Sequence, residues 1–128
     1  MAITEAIENY LETILIISAE KPDVHAIDIC TYLGYSRPTV SIILKKMKDE
    51  KLVIVDQDNH ITLTESGREI AEQIFERHNV ISELLIKLGV EKNTALSDAC
   101  KIEHDISPES FEALKNYYRK ITEKSENK

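Results

Sequence analysis

Two segments of helical periodicity, separated by a turn at Gly34, limit the folds that are open to this chain. Apolar residues recur at helical spacing within 27–33 before the turn and within 40–47 after it. Ser36 is a favourable N-cap residue, and a glycine such as Gly34 is typical of a helix C-terminus. A helix, a short glycine-containing turn and a second helix make up the helix-turn-helix motif.

The hydrophobic period changes directly after the second helix. The sequence LVIVDQDNHITL, Leu52–Leu63, begins with β-branched residues, continues with turn-forming residues and ends in alternation. This pattern predicts a small β-hairpin, which in this place is the wing of a winged helix. Helices are predicted around it, with the bounds Thr4–Ser18, His25–Tyr32, Ser36–Lys51, Thr64–Gly89, one beginning at Asn93 or Thr94, and one beginning at Pro108 with Ser107 as its cap.

Length and composition fit one compact domain, or two small domains that share a core. The chain has 128 residues, of which 42% are apolar. No segment is long and apolar enough to cross a membrane, and the start, MAITEAIENY, lacks the features of a secretory signal. We therefore expect a cytoplasmic protein with reduced cysteines, in which Cys30 is a core residue.

The formal net charge of −7 argues against a protein that binds nucleic acid constitutively, because phosphate contacts require Lys and Arg. The charge is uneven, however, since the stretch Ser36–Lys51 is basic and most of the remaining chain is acidic. Small polar residues near the start of this helix can approach base edges, and basic residues can meet phosphate. These residues are Arg37, Thr39, Ser41, Lys45, Lys46 and Lys48. The alternative is an ordinary amphipathic helix with a solvated basic face.

A second group of residues has the chemistry of metal ligands. Cys100, Glu103 and His104 stand at i, i+3 and i+4, so one predicted helix offers a thiol, a carboxylate and an imidazole on one face. Such donors suit a divalent transition metal. His78 on the preceding helix and Glu12 on the first helix could be a fourth and a fifth ligand. The structural alternatives are a hydrogen-bonded core histidine, a solvated glutamate and a packed cysteine.

Three motifs in the same order, SRPTVSIILKKM, GREIAEQIFERH and DACKIEH, resemble the recognition, linking and metal-binding helices of the diphtheria toxin repressor and manganese transport regulator family. The resemblance covers nearly the whole chain. It implies a mainly α fold with a winged helix-turn-helix DNA-binding domain, residues 1–72, and a helical metal-binding and dimerisation domain, residues 73–128. By this resemblance, we expect the family's short form, without an SH3-like domain. The family implies a homodimer that binds palindromic operator DNA when Fe²⁺ or Mn²⁺ is bound.

The resemblance also implies a set of metal ligands. Residue by residue, they fall on Asn9, Glu12, His78, Cys100, Glu103 and His104. The chain departs from the family at Asn9, where relatives carry Met or Asp, and at Ser82, where relatives carry a glutamate that serves an additional site. Cys100 follows the iron-responsive branch, and its thiolate would also accept Co²⁺, Ni²⁺ or Zn²⁺.

At the DNA face, the resemblance covers the start of the recognition helix. Ile42 replaces a glutamine that relatives often carry, so contact with a thymine methyl group would replace bidentate reading of adenine. With the basic positions included, the predicted DNA-binding residues are Ser36, Arg37, Pro38, Thr39, Ser41, Ile42, Lys45 and Lys46.

Three functions are consistent with the sequence. The first is a metal-activated, dimeric repressor of metal-uptake genes, with no membrane or small-molecule substrate as a partner. The second is a winged-helix regulator that needs no metal, in which the Cys-Glu-His cluster is structural. The third is a small metalloenzyme with Glu103 as general base, and it is weakest because the sequence shows no glycine-rich substrate loop and no second acid–base pair. We therefore expect a regulator and not an enzyme.

Overall fold

A computed structural model describes residues 4–126 of the chain, with side chains through residue 123. The backbone forms two compact units, Met1–Gln73 and Ile74–Lys128, and the fourth helix contributes to both of them. The elements are α1 (Glu5–Glu20), α2 (Ala26–Leu33), α3 (Arg37–Asp49), β1 (Val53–Val55), β2 (Ile61–Leu63), α4 (Glu65–Lys87), α5 (Lys92–Ile102) and α6 (Pro108–Glu126). The predicted mainly α class is confirmed.

The helix-turn-helix forms as its sequence predicts. Gly34 ends α2 in the left-handed conformation, with φ 73°, and its N–H donates to the carbonyl of Cys30 at 2.8 Å. Ser36 caps α3, where its hydroxyl accepts from the N–H of Thr39. The start of α2 differs by one residue, because His25 is the N-cap and lies just outside the helix.

A continuous apolar core holds the first unit together. Helix α1 contributes its buried stripe, α3 contributes Val40 and Met47, and Cys30 is buried in the same core as predicted. Because Val40 and Met47 point inward, the opposite face of α3 remains exposed. The core therefore fixes which residues of α3 can meet a partner.

The predicted hairpin is present directly after α3. Its strands pair antiparallel, with Val53 opposite Leu63 and Val55 opposite Ile61. Asn59 adopts a φ of 64° at the tip, a left-handed conformation that asparagine tolerates. The N–H of Ile61 donates to the carbonyl of Val24 at 2.7 Å, which anchors the hairpin to the segment before α2.

The first turn of α4 lies against the residue before the hairpin. The N–H of Thr64 donates to the carbonyl of Leu52 at 3.0 Å, and the Thr64 hydroxyl caps α4 at the N–H of Gly67. A Cβ at Gly67 would lie only 2.1 Å from the carbonyl oxygen of Leu52. Glycine at this position is therefore required by the close approach of two backbone segments.

The second unit packs α4, α5 and α6 around a small core. Its buried apolar residues are Val80, Ile81, Leu84, Ala99 and Phe111. Two predicted boundaries move: α4 ends at Lys87, two residues earlier, and α5 begins at Lys92 with Glu91 as its N-cap. The Ser107 cap and the start of α6 at Pro108 are confirmed. Among residues 4–126, no helix is long and apolar enough to span a bilayer.

Candidate metal centre and nucleic-acid interface

The predicted cluster of Cys100, Glu103 and His104 comes together in the second unit. The Sγ atom of Cys100, a carboxylate oxygen of Glu103 and a ring nitrogen of His104 all lie within 4.8 Å of one another. The prediction that one helix carries all three is corrected, because α5 ends at Ile102. Glu103 is the C-cap and keeps right-handed helical dihedrals, whereas His104 already lies in the turn that follows. The three side chains therefore still lie close together, because the helical conformation continues for one residue past the end of the helix.

Glu103 is the centre of this cluster. Its side chain is 0% exposed, and Oε2 lies 2.8 Å from Nδ1 of His78 on α4. The other oxygen, Oε1, lies 3.4 Å from Nε2 of His104 and forms no hydrogen bond with the described residues. A carboxylate without solvent exposure is costly unless its oxygens are satisfied.

The arrangement fits a divalent cation. One buried carboxylate oxygen without a hydrogen bond points to a missing partner, and two imidazoles and a thiol surround it. Sulfur, oxygen and nitrogen donors together suit a borderline transition metal such as Fe²⁺, Co²⁺ or Zn²⁺. The chemistry of these residues thus fits the predicted divalent metal ion.

Arg77, the residue before His78, also contacts this cluster, although the sequence alone does not indicate a role for it. Its Nη1 donates to the carbonyl oxygen of Glu103 at 3.1 Å and to that of Ile106 at 3.2 Å. The guanidinium also lies over the ring of Phe111, 5.5 Å from the ring centroid. An arginine beside a candidate ligand, on a half-apolar helix, is the one sequence signal that could have drawn attention to it.

The remaining ligand predictions lie in the first unit. Asn9 and Glu12 are both half-buried residues of α1, three positions apart on one face. Ser82 is buried in the second unit, where its hydroxyl donates to the carbonyl of Asn79 at 3.2 Å. Ser82 therefore presents a hydrogen-bonded hydroxyl at the position where relatives carry a carboxylate according to the resemblance.

The predicted DNA-binding residues lie on the exposed face of α3. All eight positions from Ser36 to Lys46 that the sequence indicated are exposed. Arg37, Ser41 and Lys45 line one groove together with Asp58 and Asn59 of the hairpin. Such a groove combines small polar and cationic groups, as contact with a nucleic-acid backbone requires.

The structure separates the basic residues of α3. Lys48 lines the same groove as Lys45, whereas Lys46 borders a different depression that also contains Asp49 and Glu50. Lys48 is basic but does not belong to the predicted contact set. Its spacing from Ser41 and Lys45, at i+7 and i+3, is the sequence signal that would have included it.

A second group of potential ligands stands in the hairpin turn. One ligand atom each of Asp56, Asp58 and His60 lies within 4.8 Å of the others. Oδ1 of Asp56 accepts from the N–H groups of Asp58 and His60, both at 2.9 Å. These bonds, chiefly that from His60, hold the pKa of Asp56 below its usual value. The carboxylate thus shapes the turn.

Comparisons with known proteins decide the family. Residues 2–61 match the iron dependent repressor N-terminal DNA binding domain, and residues 64–128 match the iron dependent repressor metal binding and dimerisation domain. The chain belongs to the iron-dependent repressor family. It is a metal-dependent transcriptional regulator of the diphtheria toxin repressor and MntR type, and members of this kind are not enzymes. The metalloenzyme hypothesis is therefore wrong.

Individual relatives agree with this assignment. The transcriptional regulator MntR of Escherichia coli O6:H1 is 31% identical over 116 residues, which are 91% of this chain and 75% of that protein. The uncharacterized HTH-type transcriptional regulator MJ0568 of Methanocaldococcus jannaschii is 33% identical over 94% of this chain and 98% of its own length. The solved structure of the manganese regulator SloR superposes with a TM-score of 0.79 at 26% identity, covering 93% of this chain and 55% of SloR. The chain thus spans about half the length of SloR.

Proposed function

We propose that this iron-dependent repressor family member is a cytoplasmic homodimer that represses metal-uptake genes when Fe²⁺ or Mn²⁺ is bound. The observation that carries the proposal is the fully buried carboxylate of Glu103, which lies between the imidazoles of His78 and His104 and beside the thiol of Cys100. When bound, the cation would supply positive charge and coordination to this carboxylate. Repressor activity would then depend on ligands that the second unit holds in place.

We propose two residues of α1 as further metal ligands. We assign Asn9 and Glu12 to it because of their matching positions in the family, and we assign the DNA-binding and metal-binding roles to residues 1–72 and 73–128. If the metal binds the DNA-competent conformation more tightly than the conformation that does not bind DNA, then by linkage metal binding must shift the protein toward the DNA-competent conformation.

The choice between metals follows from the donor set. A thiolate from Cys100 favours Fe²⁺ over Mn²⁺, and affinity rises further toward Co²⁺ and Ni²⁺ in the usual order for divalent ions. SloR is a manganese regulator. We therefore propose Fe²⁺ or Mn²⁺ as the physiological signal, with Co²⁺, Ni²⁺ and Zn²⁺ as substitutes.

For DNA, we propose that the exposed start of α3 reads a palindromic operator. Ser36, Pro38, Thr39 and Ser41 supply short side chains at the helix N-terminus, and Ile42, which is 60% exposed, can contact a thymine methyl group. Arg37, Lys45 and Lys46 would contact phosphate groups, and Lys48, which lines the same groove as Lys45, would join them. Lys46 would contribute less, because it borders a depression that also contains Asp49 and Glu50. Dimers of this motif place recognition helices about 34 Å apart, one turn of DNA.

The dimer would form through the second unit. An apolar groove there includes two strongly exposed side chains, Leu88 at 78% and Tyr117 at 57%. Exposed apolar clusters of this kind mark interaction surfaces. The full lining is Ile81, Leu84, Leu85, Lys87, Leu88, Ile102, Leu114, Tyr117 and Ile121.

The decisive experiment is selection of DNA by the metal-loaded protein. Sheared genomic DNA from the host would be captured with added Mn²⁺ or Fe²⁺, and in parallel with the apo protein and chelator. We expect enrichment of inverted repeats near metal-transporter genes only with metal. Equal enrichment in chelator would favour the metal-independent regulator, and the His104→Ala variant, with a depleted donor set, should behave like the chelated protein.

A further inference from the structure

The ligands Glu103 and His104 lie outside regular secondary structure. Helix α5 ends at Ile102, and residues 103–106 form a turn before α6. Backbone hydrogen bonds hold the start of this segment, since the N–H groups of Glu103 and Ile106 donate to the carbonyls of Ala99 and Ile102. The last carbonyls of a helix, however, have no partner within the helix. Two ligands thus depend on contacts from elsewhere for their position.

Arg77 supplies these contacts at both ends of the turn. A single nitrogen, Nη1, donates to the carbonyl of Glu103 at 3.1 Å and to the carbonyl of Ile106 at 3.2 Å. His104 lies between these two residues in the chain. The guanidinium therefore joins the first and last residues of the turn that presents both ligands.

The same short stretch of α4 holds Glu103 in two ways. Arg77 binds its backbone carbonyl, and the next residue, His78, contacts its carboxylate at 2.8 Å. The ring of Phe111 on α6 lies under the guanidinium and limits its movement. Because an arginine side chain loses much rotational freedom when it is fixed, this packing makes the two hydrogen bonds less costly to form.

We infer that Arg77 is a positioning residue for the metal centre, which it serves without being a ligand. The inference rests on the proposed metal-binding function and names a residue that acts through the backbone of Glu103 and His104. Loss of its hydrogen bonds would leave two buried or half-buried carbonyls unsatisfied and let the turn move. Partners that orient metal ligands in this indirect way typically change metal affinity by about 10–100-fold when they are replaced.

If Arg77 acted only through its charge, its removal would change the metal affinity in the opposite direction. The guanidinium is a fixed positive charge near the cluster, so it would repel a divalent cation, and its removal would tighten binding. A purely structural role predicts a lower melting temperature with unchanged affinity of the folded protein. The three roles are therefore distinguishable by one set of variants.

The test uses the full chain, stripped of metal, and the variants Arg77→Met and Arg77→Lys. Affinity is measured with Mn²⁺ by the electron paramagnetic resonance signal of the free ion, and ligand geometry by the visible absorption of bound Co²⁺. We expect Arg77→Met to weaken Mn²⁺ binding by about 10–100-fold and to change the Co²⁺ spectrum at saturation. Arg77→Lys keeps a charged donor and should recover part of the affinity. It also serves as the folded variant if Arg77→Met does not fold.

Lys115→Met is the matched control. It removes the ion pair between Lys115 of α6 and Glu76 of α4, with Nζ 2.7 Å from Oε1, and it leaves the turn untouched. We expect wild-type affinity and a wild-type Co²⁺ spectrum. If folded Arg77 variants bind Mn²⁺ as tightly as the wild type, or more tightly, the positioning role is overturned while the proposed function stands. A wild-type chain that takes up neither ion would overturn the proposed function and this inference together.

Discussion

Nδ1 of His78 lies 2.8 Å from Oε2 of Glu103, so a half-buried imidazole of α4 meets a carboxylate with no exposed surface. The contact links residues 25 positions apart in the chain. It brings together two residues that the sequence indicated separately as candidate ligands.

Replacing Glu103 with glutamine should abolish the metal response without unfolding the protein. The amide keeps the shape of the side chain but replaces a carboxylate oxygen with an NH₂ group, which cannot coordinate a cation. We expect the apo variant to remain folded, and added Mn²⁺ or Fe²⁺ not to raise its melting temperature. Thermal melting with and without metal checks this, with the exposed Glu112→Gln as control. A wild-type metal-induced shift in Glu103→Gln would contradict the proposed site.

Cys100 should set the preference among metals. Replacing it with aspartate exchanges a soft sulfur donor for a hard oxygen donor, so affinity for Co²⁺ and Zn²⁺ should fall more than affinity for Mn²⁺. Absorption from sulfur-to-cobalt charge transfer should disappear in the same variant. The buried Cys30 offers a control, because Cys30→Ala should keep that absorption. An unchanged band in Cys100→Asp would show that the thiol is not a ligand.

The basic residues of α3 should differ in their contribution to DNA binding. Arg37, Lys45 and Lys48 line one groove, whereas Lys46 lies beside Asp49 and Glu50. Each lost phosphate contact lowers the slope of log affinity against log salt by about 0.9. We expect this decrease for Lys45→Ala and Lys48→Ala, and a smaller one for Lys46→Ala. Operator titrations of metal-loaded protein at several salt concentrations measure the slopes, and equal decreases for all three lysines would contradict the assignment.

Asp28 should make the stability of the first unit depend on pH. It accepts from the N–H of His25 at 2.8 Å and pairs with Lys21 at 3.1 Å, and the bond from His25 is the main reason that its pKa is lowered. A lowered pKa in the folded state stabilises the fold above the unfolded value of about 3.9, and this stabilisation is lost as pH falls through the folded pKa.

The matching variant is Asp28→Asn. Asparagine keeps an oxygen that can accept from the His25 N–H but loses the charge. We therefore expect lower stability at pH 7, by no more than the about 0.5–2 kcal/mol that loss of a whole cap costs, and a difference from wild type that narrows toward pH 2. Urea unfolding at both pH values checks the prediction, with the exposed Asp49→Asn as control. A difference that stays constant with pH would rule out the carboxylate as its cause.

The exposed apolar groove of the second unit should form the dimer contact. Leu88→Glu introduces a charge at a side chain that is 78% exposed, so the monomer fold should tolerate it while self-association weakens. Sedimentation at micromolar concentration measures the effect. Ile54→Glu changes a similarly exposed residue of the hairpin, at 56%, and should leave the dimer intact. Dimers of equal strength in both variants would place the interface elsewhere.

The sequence predicted the local elements well, because their signals are local. Gly34, the Ser36 cap and the change of period at Leu52 each act through neighbouring residues, and all three have the predicted structural effect. The requirement for Gly67 was missed, because it arises from a contact with the Leu52 carbonyl that no helical periodicity can reveal.

The local part of the candidate site could likewise be predicted from the sequence, and its long-range contacts could not. The spacing of Cys100, Glu103 and His104 predicted their proximity, since the right-handed conformation continues for one residue past α5. That the helix ends at Ile102 could not be read from the sequence, which contains no glycine or proline there. The role of Arg77 was equally hidden, because its hydrogen-bond partners are backbone carbonyls, which every residue possesses.

The position of Glu103 and His104 in a turn has a consequence for how a sensor of this kind can adapt. The ligand atoms determine which ion is recognised. How well the turn is ordered before binding determines the conformational entropy that is lost when the ion binds, and therefore the affinity. Residues such as Arg77 and Phe111 affect this entropy loss but do not change the ligand atoms. Substitutions around the turn could therefore shift the metal concentration at which the regulator responds, while the identity of the detected ion stays the same.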